Sequence, residues 1–166
     1  MPKPKNRTLI QILIILPYLL VLYILQAMLF PHVTLWGVKP LIMPLAVVGM
    51  ALFHGRVTGG VFGLCAGMLM DLAYNQATIQ FTLLLAFTGL LFGILSDTVL
   101  TQGFPSFLLC AVAQLVICSA FQVLSLVFVR GIGFSSLLGT AVAQCLYSLL
   151  FAIPTYYVSR FVSRII

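Results

Sequence analysis

The sequence predicts an all-α membrane protein, a single bundle of about six transmembrane helices that takes in the whole chain, residues 1–166. Three observations carry this. Hydrophobic residues make up 63% of the chain and charged residues 6%, whereas a soluble domain carries about a quarter charged residues. So few charges cannot coat a water-facing surface. The apolar residues also fall into six runs, most of them near the roughly 20 residues that one span requires. Finally, the charges stand at the ends of those runs and leave no stretch polar enough for a separate soluble domain.

Lys3, Lys5 and Arg7 precede the first run, Leu9 to Leu29. It exceeds the apolar core of a signal peptide, roughly 7–15 residues, and lacks a small-residue cleavage site, so it is expected as a retained span. Pro17 is a place for a kink. Pro31, His32, Trp36 and Gly37 form a loop, with Trp36 suited to a membrane interface. Pro40 opens a short second run to Phe53, which His54-Gly55-Arg56 breaks. A third run follows from Val57 to about Tyr74. The second and third runs form either two full spans or a re-entrant hairpin. Asn75-Gln76 turns the chain into run four, Thr78 to Leu95. Asp97, Gln102 and Gly103 mark a loop, and Pro105 fits the first turn of run five, Ser106 to Val129. Arg130, Gly131 and Gly133 end it. Run six covers Phe134 to Val158, with Pro154 near its end.

Six spans with the amino terminus inside put Lys3, Lys5, Arg7, Arg56, Arg160 and Arg164 on the inner side, and Lys39 and Arg130 on the outer side. The positive-inside rule favours that orientation, with both termini cytoplasmic. The net charge of +6 is thereby read as membrane anchoring. The basic residues form no patch of the kind that nucleic acid needs.

Chemistry is sparse. Cys65, Cys110, Cys118 and Cys145 lie inside apolar runs, with no C-x-x-C pair and no His spaced for a metal. No Ser-His-Asp set, H-E-x-x-H or phosphate loop appears. Asp71 and Asp97 are expected at opposite ends of their spans, so they cannot share a proton. The expectation is a non-enzyme without metal or cofactor. Both acids close a patterned series: Gly59, Gly63, Gly67 and Asp71 are four apart, as are Gly89, Gly93 and Asp97. Residues four apart share a helical face, and small residues there let another helix come close. The spacing turns Gly63 and Gly67 to a neighbouring helix and Met68 to lipid. Asp71, about 21 Å up its helix, requires water, a proton or a partner. Lys39 and Arg130 are the outer-side candidates, Lys39 the nearer in sequence. Asp97 is expected as a solvated loop acid or a partner of Arg56. Cys110, Gln114, Cys118 and Gln122 make a polar stripe on run five, and Gln144 and Ser148 a shorter pair on run six. They either glue helices together or line a ligand cavity.

Leu25-Gln26, Lys39-Pro40, His54-Gly55-Arg56-Val57 and the series Gly59/Gly60 through Gly67 to Asp71-Leu72 resemble, in order and spacing, the MreD family of bacterial rod shape-determining membrane proteins. The resemblance covers about residues 20–95. It departs at Leu41, where many members carry an acid or Asn, and at Asn75-Gln76-Ala77-Thr78, which lacks the glycine many carry after D-L. It implies a non-enzymatic subunit of the cell-elongation complex in the bacterial inner membrane. The implied partners are MreC, the actin-like MreB filament, and the SEDS glycosyltransferase with its transpeptidase. Partner-binding or structural roles are then expected at Lys39, Pro40, Arg56, Gly59, Gly63, Gly67 and Asp71. It also implies kinship in fold to the substrate-binding components of energy-coupling-factor vitamin transporters, which gives the rival reading of a small-molecule-binding transporter subunit. Such components present a small-residue face on the first span. Here Ala27 is the only small apolar residue between Leu9 and Leu29.

Overall fold

The computed structural model describes residues 5–29, 40–73, 79–98, 103–130 and 134–165, and these are helical almost throughout, with no strand among them. α1 (Lys5–Ile24) runs on through Pro17 and ends in a π-helical turn, Leu25–Leu29. α2 (Met43–Ala73) contains one non-helical residue, Gly55, with φ 78° and ψ −174°. That residue folds α2 back on itself. A Cβ placed on Gly59 would lie 2.7 Å from Ala51 Cα, although eight residues of straight helix are about 12 Å long. The two arms, residues 43–54 and 56–73, correspond to the second and third apolar runs.

α3 (Gln80–Thr98) lies antiparallel to the second arm. α4 (Phe104–Arg130) begins with Pro105 in its first turn, where a missing N–H costs nothing. The sixth run, expected as one helix, is instead two: α5 (Phe134–Leu150) and α6 (Ala152–Ile165), bent by 46° at Phe151. Pro154 is the physical reason. It cannot donate to the carbonyl four residues back, so the chain tightens at Phe151, whose N–H reaches Ser148 O, and restarts with Thr155 N–H on Phe151 O.

By length and apolarity three helices can cross a membrane (α2, α3 and α4), or four if the bent pair α5–α6 is one span. The residue 13–28 segment is apolar but shorter. Because α2 is folded at Gly55, its arms reach about 18 Å and 27 Å separately.

The core is the first arm. Residues 40–52 are buried without interruption, and Met43, Leu45, Ala46, Val47, Val48, Met50 and Ala51 are fully so. α1, α3, α4 and α6 all pack on α2, and on this arm Val47 lies by Gly89 of α3 and Gly49 by Ser159 of α6 and Phe107 of α4. Large apolar side chains such as Leu13, Leu83, Phe87, Leu109, Leu146 and Leu150 face outward, as on a surface that meets lipid.

Candidate functional site

The residues singled out from the sequence meet in three joints around α2. The first is a glycine seam. A Cβ on Gly63 would overlap the Leu85 carbonyl, and one on Gly67 would overlap the backbone of Phe81 and Thr82. Gly89 meets Gly59 O in the same way, and Gly93 meets Arg56 Cα. The two glycine series therefore face each other across the second arm and α3, backbone against backbone, a separation that any side chain would widen. Met68, on the other face, is half exposed.

The second joint is Asp71. Its carboxylate accepts three hydrogen bonds from the first turn of α3: Phe81 N–H to Oδ1 at 3.1 Å, Thr82 N–H to Oδ2 at 2.9 Å and the Thr82 hydroxyl to Oδ2 at 2.6 Å. The first amides of a helix have no partners within it, and the macrodipole makes that end favourable for an anion. Asp71 is 9% exposed, so this acid is answered by a helix terminus. Lys39, expected as its partner, lies outside the described residues, and nothing is described of the Arg130 side chain.

The third joint holds the start of the first arm. Pro40, Leu41 and Ile42 are not helical, yet they are buried. Irregular backbone at membrane depth persists only where other groups satisfy its N–H and C=O. Here Gln26, buried within the π-helical turn, donates from Nε2 to Pro40 O at 2.8 Å and accepts from Ile42 N–H at Oε1, 3.0 Å. Ser148 Oγ of α5 accepts from Leu41 N–H at 2.9 Å and donates to Gln144 O at 2.7 Å. Pro40 itself is the residue whose carbonyl is held. Pro44 needs no amide partner in the first turn.

Smaller contacts tie the outer helices to this core. The Tyr18 and Ser159 hydroxyls of α1 and α6 are 3.0 Å apart, and the Tyr18 ring stacks on Phe62 of the second arm at 5.9 Å. Ser159 also packs on Gly49 of the first arm. Arg56 is exposed at the Gly55 turn, and Asp97 stands over that same turn. Of the run-five stripe, Cys110, Gln114 and Cys118 are fully buried. Gln114 donates to Cys118 Sγ at 3.5 Å, and its Oε1 has no partner among the described residues. Between α4 and α5 lies an open groove of about 740 Å³, lined by Val116, Phe121, Leu124, Val142 and Leu146 among others.

Gln26 enters the sequence reading only through the resemblance, and Tyr18, Thr82 and Ser159 do not enter it. A lone hydroxyl or amide in an apolar run is the signal they share, since such a group must find a partner away from water. No family model matches the chain, and no curated protein or solved structure matches it either.

Proposed function

We propose that this chain is a non-enzymatic integral membrane subunit of the bacterial cell-elongation complex, similar to the MreD family. It supports cell shape and peptidoglycan synthesis by offering fixed helix faces to partner membrane proteins. In this reading it crosses the inner membrane six times with both termini in the cytoplasm. Its partners are MreC, MreB, the SEDS glycosyltransferase and the transpeptidase. The observation that carries it is the use made of the residues behind the resemblance. Gln26 and Pro40 form the joint before the first arm, Gly55 makes the turn, Gly59 to Gly67 form the seam, and Asp71 caps α3. The motif thus corresponds to one folded module. The polar groups in that module hold helices together, which suits a scaffold.

The test is purification of a tagged chain from bacterial membranes in mild detergent, with its companions identified by mass spectrometry. Recovery of MreC or the glycosyltransferase–transpeptidase pair is expected. Recovery of a transporter ATPase module instead would replace this reading with that of a substrate-binding subunit. A reporter active only in the periplasm, fused to the carboxyl terminus, is expected to be silent. Activity there would refute the even number of spans.

A further inference from the structure

α6 is the least apolar and the most two-sided of the α-helices. Its inner side, with Thr155, Tyr156, Ser159 and Val162, is buried. Its outer side leaves the rings of Tyr157 and Phe161 exposed, and Arg160 is exposed beside them. Tyr157, Val158, Arg160 and Phe161 line an open hollow of about 470 Å³. A cation on the outer side of a membrane helix needs water or an anion.

The Arg160 guanidinium is held in place. It lies 5.9 Å from the centroid of the Tyr156 ring, and its Nη1 donates to the Tyr156 hydroxyl at 3.4 Å. Tyr156 in turn is wedged against Phe53, Phe104 and Phe107, with ring centroids 5.8, 5.2 and 5.2 Å away. Phe104 is the first residue of α4, a helix long and apolar enough to cross a membrane. The guanidinium therefore lies at the end of a span, where lipid phosphates are found. No carboxylate among the described residues pairs with it, and Asp71 is taken by the first turn of α3.

We propose that the hollow on α6 binds the headgroup of one anionic phospholipid, with the phosphate on Arg160 and the glycerol and upper acyl chain on Tyr157, Val158 and Phe161. A guanidinium presents its N–H groups in a planar fork that matches a phosphate. An arginine already held by its neighbours loses less freedom on binding. Free phosphate would need the cation alone, whereas the rings beside it suit the boundary between headgroup and acyl chain. A zwitterionic headgroup would bring a second, positive group toward Arg160 and toward the next turn of α6, which carries Arg164. The site requires a bilayer and is independent of the elongation-complex reading.

The tagged full chain tests this when held on resin in detergent micelles doped with fluorescent phosphatidylglycerol or with phosphatidylcholine of the same acyl chains and label. The lipid retained per chain is read. Phosphatidylglycerol should saturate a single site at about tenfold lower content than phosphatidylcholine, the effect of one charge-assisted contact of ordinary strength. Arg160→Ala should bring phosphatidylglycerol down to the phosphatidylcholine level, and Arg160→Lys, which keeps the charge without the fork, should keep part of the preference. If Arg160→Ala cannot be recovered folded, Arg160→Gln carries the test with the same expectation. Arg130→Ala removes an equal charge at the other end of α4 and should leave the preference intact. Equal retention of the two lipids by the native chain, an undiminished preference in the Arg160 variant used, or an equal loss in Arg130→Ala overturns the proposal. Displacement of phosphatidylglycerol by inorganic phosphate beyond that caused by sodium chloride at the same ionic strength also overturns it, because the site would then be one for free phosphate.

Discussion

Replacing Asp71 by Ala should be among the most damaging single changes in the molecule, and its cost can be built up from the contacts. Three donors converge on this carboxylate, two of them backbone amides at the first turn of α3. An amino-terminal cap is worth about 0.5–2 kcal/mol, and an unpaired buried donor costs about 1–3 kcal/mol. The amides stay in place in the variant, and the Asp71 position is 9% exposed, so water reaches them poorly. Taking one fully stranded amide and a weakened second gives roughly 3–4 kcal/mol. Asp71→Asn keeps one acceptor and should cost about half as much, largely through the lost attraction of the charge to the helix terminus. Thr82→Val removes only the hydroxyl and should cost about 1 kcal/mol. Cys110 and Cys118 are fully buried, whereas Cys65 is exposed. A thiol-reactive fluorogenic dye therefore reports unfolding in detergent over a constant background from Cys65. Midpoints should fall in the order native, Thr82→Val, Asp71→Asn, Asp71→Ala, and the Asp71→Ala/Thr82→Val double variant should be less than additive. If Asp71→Ala unfolds with the native midpoint, or if the pair is fully additive, the carboxylate is not the cap described here.

The remaining expectations use the same assay. Gly63→Ala should destabilise by about 1–3 kcal/mol or prevent folding, because the added carbon meets the Leu85 carbonyl and the helices must part. Gly139→Ala, with nothing within 4 Å of the new carbon, should stabilise by about 0.5–1 kcal/mol through helix propensity alone; equal effects at the two glycines would remove the case for the seam. Gln26→Leu fills the same space but strands Pro40 O and the Ile42 N–H, and should cost about 2–4 kcal/mol, twice the lower penalties for one group. A loss below 1 kcal/mol would mean that the joint is not needed. Tyr18→Phe keeps the stack on Phe62 and deletes only the bond to Ser159. About 1 kcal/mol is expected, and Ser159→Ala should add little to it if the two hydroxyls serve each other.

The apolar runs were legible because length and hydropathy are one-dimensional quantities. Their boundaries lie close to those of the helices in the middle of the chain, but α1 starts at Lys5, ahead of Leu9, α6 runs on to Ile165, past Val158, and the last run breaks at Phe151, which puts Pro154 in the first turn of a new helix. Which way each helix faces was harder to read. In a membrane both the lipid side and the protein side accept Leu and Val, so apolar periodicity says little. Leu85 is buried and Leu83 exposed, with nothing in residue type to separate them. Glycine and polar residues do carry direction. The glycine spacing alone indicated the seam between the second arm and α3. The partner of Asp71 is not legible in residue types, because a helix terminus answers the charge and leaves no mark on a list of residues. A helix start within reach of a buried acid answers it as a basic residue would.

The short second run by helical length alone looks unable to cross a bilayer. Its helical arm, residues 43–54, supplies about 18 Å. The three residues before it are buried and not helical, and an extended chain gains about 3.3 Å per residue, so residues 40–54 together reach about 28 Å. That is close to the roughly 30 Å of a hydrocarbon core. The unwound start adds to the reach of this short arm, and Gln26 and Ser148 meet its Pro40, Leu41 and Ile42 backbone groups. Either way the hairpin returns the chain to the side it left, so the side on which each terminus lies does not depend on how deep the Gly55 turn sits. The environment of Arg56 does: a full crossing would put it in water at the membrane surface, and a shallower one would leave a cation in hydrocarbon. Arg56 is exposed and Asp97 stands over the same turn, and a charge left in lipid without water or a partner would cost several kcal/mol.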